Sequence, residues 1–241
     1  MKLIKLDAID STNDFLKGLS VTQELENFTV VSAENQTKGR GQMGAVWNTE
    51  VSKNLIMSVF VKDFVLNSNG IYQLNIATAL AIIQVLKTFN IKDLSIKWPN
   101  DIMSAKCKLG GILIENTFKS GGRISSVIGI GLNVNQTNFD NLPKASSMAV
   151  VANTVFDKEE ILVLIVEQLK ANLSLINTNS QDLWNQYLAI LFKKGVPMPF
   201  KVKEKSFMGI ITSVSAAGKL VILLEDNSSV EFGVKEVQML Y

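Results

Sequence analysis

The sequence predicts an α+β chain with two unequal parts. Three observations carry this. Ile71–Phe89 has an apolar stripe at helical spacing through Leu74, Ala77, Leu80, Ala81, Val85 and Leu86. Leu109–Glu115 and Ile124–Val134 are dense in Ile, Val and Leu, which favours strands. After Gly195 the pattern changes to short strands separated by turn residues.

The elements follow in order. Leu3–Ile9 reads as a first strand. Ser11-Thr12-Asn13-Asp14 supplies N-cap oxygens, and Phe15, Leu16 and Leu19 continue at helical spacing. Phe28–Ser32 reads as a buried strand, Ala33–Val46 as a long polar, glycine-rich loop, and Leu55–Val61 as a strand. Leu94–Trp98 is a further strand, followed by a turn at Pro99-Asn100-Asp101. Gly121-Gly122 is expected to turn a hairpin between the strands at 109 and 124. Lys158–Ile176 and Gln181–Phe192 read as helices. Gly195-Val196-Pro197-Met198-Pro199 is a breaker cluster. Beyond it lie Phe200–Lys203, Gly209–Ser215, Leu220–Leu224, Ser229–Phe232 and Glu236–Leu240, with turns at Ala217-Gly218 and Asp226-Asn227. That spacing predicts a small closed or half-closed β-barrel of about 45 residues. The expected domains are 1–194 and 195–241.

Composition narrows the chemistry. The 241 residues contain no histidine. That excludes a Ser-His-Asp triad, a Cys-His dyad and any zinc site needing His. The single cysteine, Cys107, excludes an intrachain disulfide and fits a reducing compartment. The 24 basic and 22 acidic residues leave a net charge of +2, far from the basicity of a dedicated nucleic-acid binder. The most apolar stretches are too short for a membrane span, and the N-terminus has no signal-like apolar core. The expected location is cytoplasmic, with no membrane partner.

Four motifs carry candidate chemistry. Asp10-Ser11-Thr12-Asn13 is a helix N-cap, and a helix N-terminus also favours anions and polar acceptors. Lys38-Gly39-Arg40-Gly41-Gln42-Met43-Gly44 ends at Trp47. Its glycines let backbone N–H groups turn toward an anion, and Arg40 can fork onto a phosphate or carboxylate. A Rossmann turn is excluded, because a strand and not a helix follows. Lys97-Trp98-Pro99-Asn100-Asp101 precedes Lys106-Cys107-Lys108-Leu109-Gly110-Gly111-Ile112-Leu113-Ile114-Glu115. There Lys108 opens an apolar strand with its ammonium at the rim, and Asp101 is a candidate Mg²⁺ ligand beside a nucleotide. Gly129-Ile130-Gly131-Leu132-Asn133 puts glycines within a strand, where something approaches the backbone closely or a bulge forms.

In this order the motifs read S-T-N, G-R-G-x-x-G-x-x-W, K-W-P-N-D, K-x-G-G-I-L-x-E and G-x-G-x-N. The chain resembles the biotin–[acetyl-CoA-carboxylase] ligase family from Leu6 to about Leu240. The combined set is specific; each part alone is not. The resemblance implies a mixed β-sheet flanked by helices, similar to class II aminoacyl-tRNA synthetases and lipoate ligases, with a C-terminal SH3-like barrel. It implies ATP-dependent formation of biotinyl-5′-AMP and pyrophosphate. Transfer of biotin to a lysine of a biotin carboxyl carrier protein follows.

The resemblance also implies residue roles. Ser11, Thr12, Asn13 and Gln36 would hold the ureido end of biotin, with Gly111, Ile112 and Gly129 lining its pocket. Arg40, with Gly39, Gly41 and Gln42, would hold the carboxyl and phosphate region. Lys108 would contact the biotin carboxylate and the α-phosphate, and Lys97 would support the phosphates. Trp47 would stack near adenine and Asn133 would read its edge. Asn100 and Asp101 would sit near the nucleotide and Mg²⁺. Because Ser11 lies so near the start, the resemblance implies the monofunctional form with no DNA partner. It leaves a homodimer open.

Two departures stand out. Gln42, Met43 and Ala45 replace residues that are commonly basic, so faster loss of biotinyl-AMP is expected. Gly233-Val234-Lys235-Glu236-Val237 replaces a G-E-V ending, with no loss of fold expected. Three other readings compete. One is a lipoate or octanoate transferase of the same fold. Another is a ligase that binds biotin without catalysis. The third is a nucleic-acid binder using Lys201, Lys203 and Lys205 with Phe200 and Phe207.

Overall fold

A computed structural model describes residues 1–62, 70–118, 124–140, 142–176 and 178–241. The first part begins with β1 (Lys2–Ile9), α1 (Thr12–Thr22), β2 (Thr29–Gln36) and β3 (Leu55–Lys62). It continues with α2 (Ile71–Thr88), β4 (Leu94–Lys97), β5 (Asp101–Ser104), β6 (Cys107–Phe118) and β7 (Ile124–Leu132). Three helices follow: α3 (Met148–Ala152), α4 (Lys158–Leu175) and α5 (Ser180–Ala189). The C-terminal strands are β8 (Pro197–Val202), β9 (Lys205–Val214), β10 (Leu220–Leu224), β11 (Ser229–Phe232) and β12 (Gln238–Met239).

Seven strands form a mixed sheet in the order β1-β2-β3-β7-β6-β5-β4. Only β1 and β2 run parallel; the other neighbours are antiparallel. The expected α+β architecture with helix-flanked sheet is therefore present. Helix α1 covers one face, where Leu16, Val31, Phe60 and Val127 pack together. Helices α2 and α4 cover the other, against Met57, Val59, Ile128, Ile130 and Leu132, and α5 packs on these two helices. Alternation along β3 and β7 assigns these residues to opposite faces, since side chains in a strand repeat with period two.

Local caps fix the helices. Ser11 accepts from the Asp14 N–H at α1, and Asp157 accepts from Glu159 and Glu160 N–H groups at α4. Helix α2 is 18 residues, long and apolar enough to cross a membrane by length and composition, unlike the shorter apolar stretch read from the sequence. Most of it is buried inside the fold.

Several boundaries differ from expectation. Strand β2 runs on through Gln36, so part of the expected loop pairs with β1 at Ala33, Asn35 and Gln36. The turn at Pro99-Asn100 leads directly into β5, a short strand missed in the sequence because Asp101 and Ser104 dilute its apolar pair. The short α3 was also missed. The turn at Gly121-Gly122 lies outside the described residues. The breaker cluster is not a linker throughout: Pro197 and Pro199 lie in β8 and pair with Ile210 and Met208. Missing N–H groups are tolerated where the ladder does not need them.

The C-terminal strands form an antiparallel sheet in the order β11-β10-β9-β8-β12. Among the described residues β11 and β12 do not pair, so the sheet is open, not closed. Its apolar face continues the main core through Phe200, Ile211, Leu220 and Ile222. Trp98 fastens the two sheets, with Nε1 donating to the Gly218 carbonyl at 2.9 Å. Phe200 is fully buried and stacks on Phe207 at 5.5 Å between centroids; Phe207 stacks on Phe232 in turn. These rings serve the core of the sheet and are not a platform for bases.

Candidate functional site

The site is a depression in the sheet face that carries α1. Its floor follows from register. Ser58 of β3 lies opposite Gly129 of β7, which lies opposite Leu113 of β6. One step along, Ile56 lies opposite Gly131, which lies opposite Gly111. Three glycines on one face leave a hollow where other strands would fill the space with side chains. The hollow encloses about 230 Å³.

Of the residues singled out in the sequence, Ser11, Thr12, Asn13, Gln36, Arg40, Gly41, Gln42, Trp47, Asn100, Asp101, Lys108, Gly111, Ile112 and Gly129 line this cavity. Gly39, Lys97 and Asn133 do not.

One end is polar. Thr12 donates from both its backbone N–H (2.8 Å) and its hydroxyl (3.0 Å) to Oε1 of Gln36. The hydroxyl of Ser58 lies 2.8 Å from Thr12 Oγ1 and 2.6 Å from Asn13 Oδ1, one proton serving two acceptors. Asn13 Nδ2 donates to Glu115 Oε2 at 2.8 Å. The glycine at 129 makes room for this amide, since a Cβ there would sit 2.5 Å from Asn13 Oδ1. Ser58 was missed in the sequence, although one serine inside the apolar run Leu55–Val61 was a usable signal. Glu115 also escaped a role. Burial pushes its carboxyl up, but hydrogen bonds from Lys17 and Asn13 outweigh this and hold it below its ordinary value.

The other end is cationic. Lys108 Nζ lies 2.5 Å from Asp101 Oδ1, and Lys97 Nζ lies 3.6 Å from Asp101 Oδ2. Asp101 thus holds two ammoniums, one on each oxygen. A divalent cation does not fit here: both oxygens already face positive charge. Among the described residues no group of three acidic, Cys or His side chains gathers elsewhere. Asn100 is buried and ties β5 to β6 through Nδ2 to the Ile112 carbonyl at 2.6 Å.

The glycine-rich loop arches over the hollow. Trp47 N–H donates to Gly39 O at 3.0 Å, and Gly41 N–H to Ala45 O at 2.7 Å. Gly41 therefore spends its N–H within the loop and does not point it at an anion. Gly39 is needed for close approach, since a Cβ there would collide with the Trp47 carbonyl. Arg40 lines the cavity, yet its guanidinium bonds Asp14 at 2.5 Å and reaches Glu115 at 3.5 Å. Asn133 lies off the cavity lining, and one hydrogen of its Nδ2 goes to the Ser146 carbonyl at 3.0 Å inside the protein.

Trp47 lies flat over Gly131, where a Cβ would stand 2.5 Å from the ring. Lys108 Nζ sits 5.6 Å from the indole centroid. The indole Nε1 is buried without a hydrogen-bond partner. A buried N–H left unpaired costs about 1–3 kcal/mol.

Known proteins resemble this chain over most of its length. The family described as biotin/lipoate A/B protein ligase matches residues 6–135, more than half of the chain. The bifunctional ligase/repressor BirA of Escherichia coli is 27% identical over 225 residues, covering 90% of this chain and 68% of that protein. The biotin–[acetyl-CoA-carboxylase] ligase of Mycobacterium tuberculosis is 29% identical over 200 residues, covering 80% of this chain and 72% of that one. Among solved structures, a biotin protein ligase from Aquifex aeolicus in complex with biotin and ATP superposes with a TM-score of 0.81. It is 24% identical and covers 99% of this chain and 98% of that one, a likeness of fold. The matched segment spans α1, the arching loop and the glycine-floored strands, and the chain belongs to the biotin/lipoate A/B protein ligase family.

Proposed function

We propose that this chain is an ATP-dependent biotin protein ligase. One observation carries the reading: the buried, unpaired Nε1 of Trp47, in a hollow with hydrogen-bonding groups at one end and ammoniums at the other. An orphaned donor beside Lys108 fits a ligand that brings an acceptor there. Biotin is polar at its ureido head and anionic at its carboxylate. Thr12, Asn13, Gln36 and Ser58 suit the head, and Lys108 suits the carboxylate.

The reaction is two displacements. The biotin carboxylate attacks the α-phosphorus of ATP, and pyrophosphate leaves. A lysine amine of a biotin carboxyl carrier protein then attacks the acyl carbon, and AMP leaves. The first step brings two anions together, so it needs charge neutralisation and alignment more than proton transfer. Lys108 and Lys97 supply the charge, and Asp101 fixes both ammoniums in place. Arg40 adds a third cation once phosphate replaces Asp14 on its guanidinium. That pair is solvent-exposed, so the exchange costs little. Trp47 offers its face toward the nucleotide. Asn133 holds the Ser146 segment with one amide hydrogen and keeps its other amide groups for the adenine edge. No step is assigned to a metal on Asp101.

We read residues 1–194 as the biotin- and ATP-binding domain and 195–241 as an SH3-like domain whose barrel is incompletely paired. The five-strand order supports that reading.

The test is pyrophosphate release from the purified chain with ATP and Mg²⁺, with biotin or lipoate in parallel. Release with biotin alone is expected. Release with lipoate alone assigns the chain to the other branch of its family, and release with neither removes the ligase reading.

A further inference from the structure

Two amides at the polar end of the cavity can each face only one way. Asn13, in the first turn of α1, is 4% exposed. Its Nδ2 donates to Glu115 Oε2 at 2.8 Å and to the Leu113 carbonyl at 3.3 Å. A carboxylate and a carbonyl accept and never donate, so both amide hydrogens are taken on that side. Oδ1 therefore turns the other way, over Gly129 in the cavity floor. There it accepts from Ser58 at 2.6 Å, and one lone pair stays open. Gln36 is fixed in the opposite sense. Its Oε1 takes both Thr12 donors, which leaves Nε2 as the group it offers. The polar end thus presents an acceptor on Asn13 beside a donor on Gln36.

Glu115 does not line the cavity. Its Oε1 accepts from Lys17 at 2.7 Å, and Arg40 reaches its Oε2 at 3.5 Å. Both cations favour the charged carboxylate. In that form it has no hydrogen to give, so it admits one orientation of Asn13 and refuses the other.

We propose that Glu115 is a specificity-determining positioning residue for the first step: by locking the Asn13 amide it makes the polar end demand a ligand N–H beside a carbonyl. The inference rests on the ligase reading, since it concerns the head of the acid which that reaction activates. It adds a role for a side chain that touches no substrate. The acids admitted are those with a cyclic urea or amide head. The family description spans biotin and lipoate. A ureido meets the demand, whereas a dithiolane has no N–H and leaves the buried Oδ1 short of a partner. A site built to bond an N–H rejects an analogue lacking it far more strongly than an apolar pocket rejects a change of size. No bond forms or breaks at Glu115; the acid's carboxylate remains the reacting end.

The test exchanges the amide and the carboxylate without changing their shapes. Wild type, Glu115→Gln, Asn13→Asp and the double variant Asn13→Asp/Glu115→Gln are titrated with biotin by calorimetry, as full chains. In Glu115→Gln the one amide oxygen goes to Lys17, which can only donate, and an N–H then faces Asn13. Biotin affinity is expected to fall on the order of tenfold, the scale of one buried hydrogen bond. Asn13→Asp alone sets two carboxylates face to face and is expected to lose at least as much. The double variant is expected to bind biotin more tightly than either single one, because an aspartate at 13 accepts in the cavity whichever way it turns. In pyrophosphate release, Glu115→Gln is expected to raise KM for biotin and to keep the rate at saturating biotin within about threefold, because the head is remote from the reacting carboxylate. Glu115→Gln that binds biotin like wild type overturns the proposal, and so does a double variant no better than the singles. A lower saturating rate at unchanged KM overturns it as well, and assigns Glu115 to the phosphate end through Arg40. Failure of the ligase reading shows differently: wild type itself binds no biotin.

Discussion

Lys108 and Asp101 form the shortest link between the floor of the site and its charge: Nζ to Oδ1 is 2.5 Å, across adjacent strands β6 and β5. Asp101 is mostly buried, with 16% of its side chain exposed. It orients the ammonium, and Lys108 is the group that meets the reacting carboxylate and phosphate. Lys108→Met is expected to lower adenylate formation by a factor of ~10²–10³, the loss seen when one preorganised donor leaves a developing anion. Asp101→Asn keeps both lysines but frees them, so a smaller loss, about tenfold in kcat, is expected. Single-turnover formation of biotinyl-AMP measures both. Equal losses would contradict the division of roles.

The glycines at 129 and 131 separate the two ends of the cavity. A methyl at 129 meets Asn13 Oδ1 at 2.5 Å, which parts Asn13 from Ser58. A methyl at 131 meets the Trp47 ring at 2.5 Å. Gly129→Ala is expected to weaken biotin binding about tenfold or more, given one lost hydrogen bond in a buried network. Gly131→Ala is expected to leave biotin binding nearer wild type, weaken ATP binding and change Trp47 fluorescence. Titrations of each variant with biotin and with ATP check the split.

Much of this site was legible in the sequence because its parts break local rules. Glycines within β7, a lysine at the start of an apolar strand, and a glycine-rich loop closing on Trp47 all contradict what propensity alone would choose. Ser58 broke the same rule but passed as one residue in an apolar run. What stayed hidden depends on distant pairing. Nothing local to Asn133 says that its amide donates to Ser146, or that Arg40 is held by Asp14 and Glu115. Strand β5 was missed because four residues carry too little periodicity. The open edges of the C-terminal sheet depend on pairing between β11 and β12, which the spacing of the strands does not reveal.

Glu115 sets an acid limit on stability. Its carboxyl is held below the ordinary 4.5 by Lys17 and Asn13 against the effect of burial. A carboxyl depressed in the folded state stabilises it above the unfolded pKa, and that contribution is lost as pH falls through the folded pKa. Glu115→Gln is therefore expected to cost about 1–2 kcal/mol between about pH 6 and 8. The gap to wild type should close as pH falls below 4.5. Urea unfolding across that range measures it, and a gap that widens in acid would reverse the assignment.

Gln42 lines the cavity at the start of the Gln42–Gly44 turn and brings no charge to it. The arching loop carries one cation over the cavity, Arg40, and that guanidinium is shared with Asp14 and Glu115. An acyl-adenylate held by so few cations should escape faster than one held by more. Gln42→Arg adds a fork that reaches phosphate bidentately. Release of biotinyl-AMP is expected to slow about threefold to tenfold, with little change in its rate of formation, because the new charge acts on retention and not on the reacting atoms. Dissociation of preformed biotinyl-AMP from the two proteins decides the matter: equal rates would place adenylate retention in the lysines and Trp47, and not in the loop.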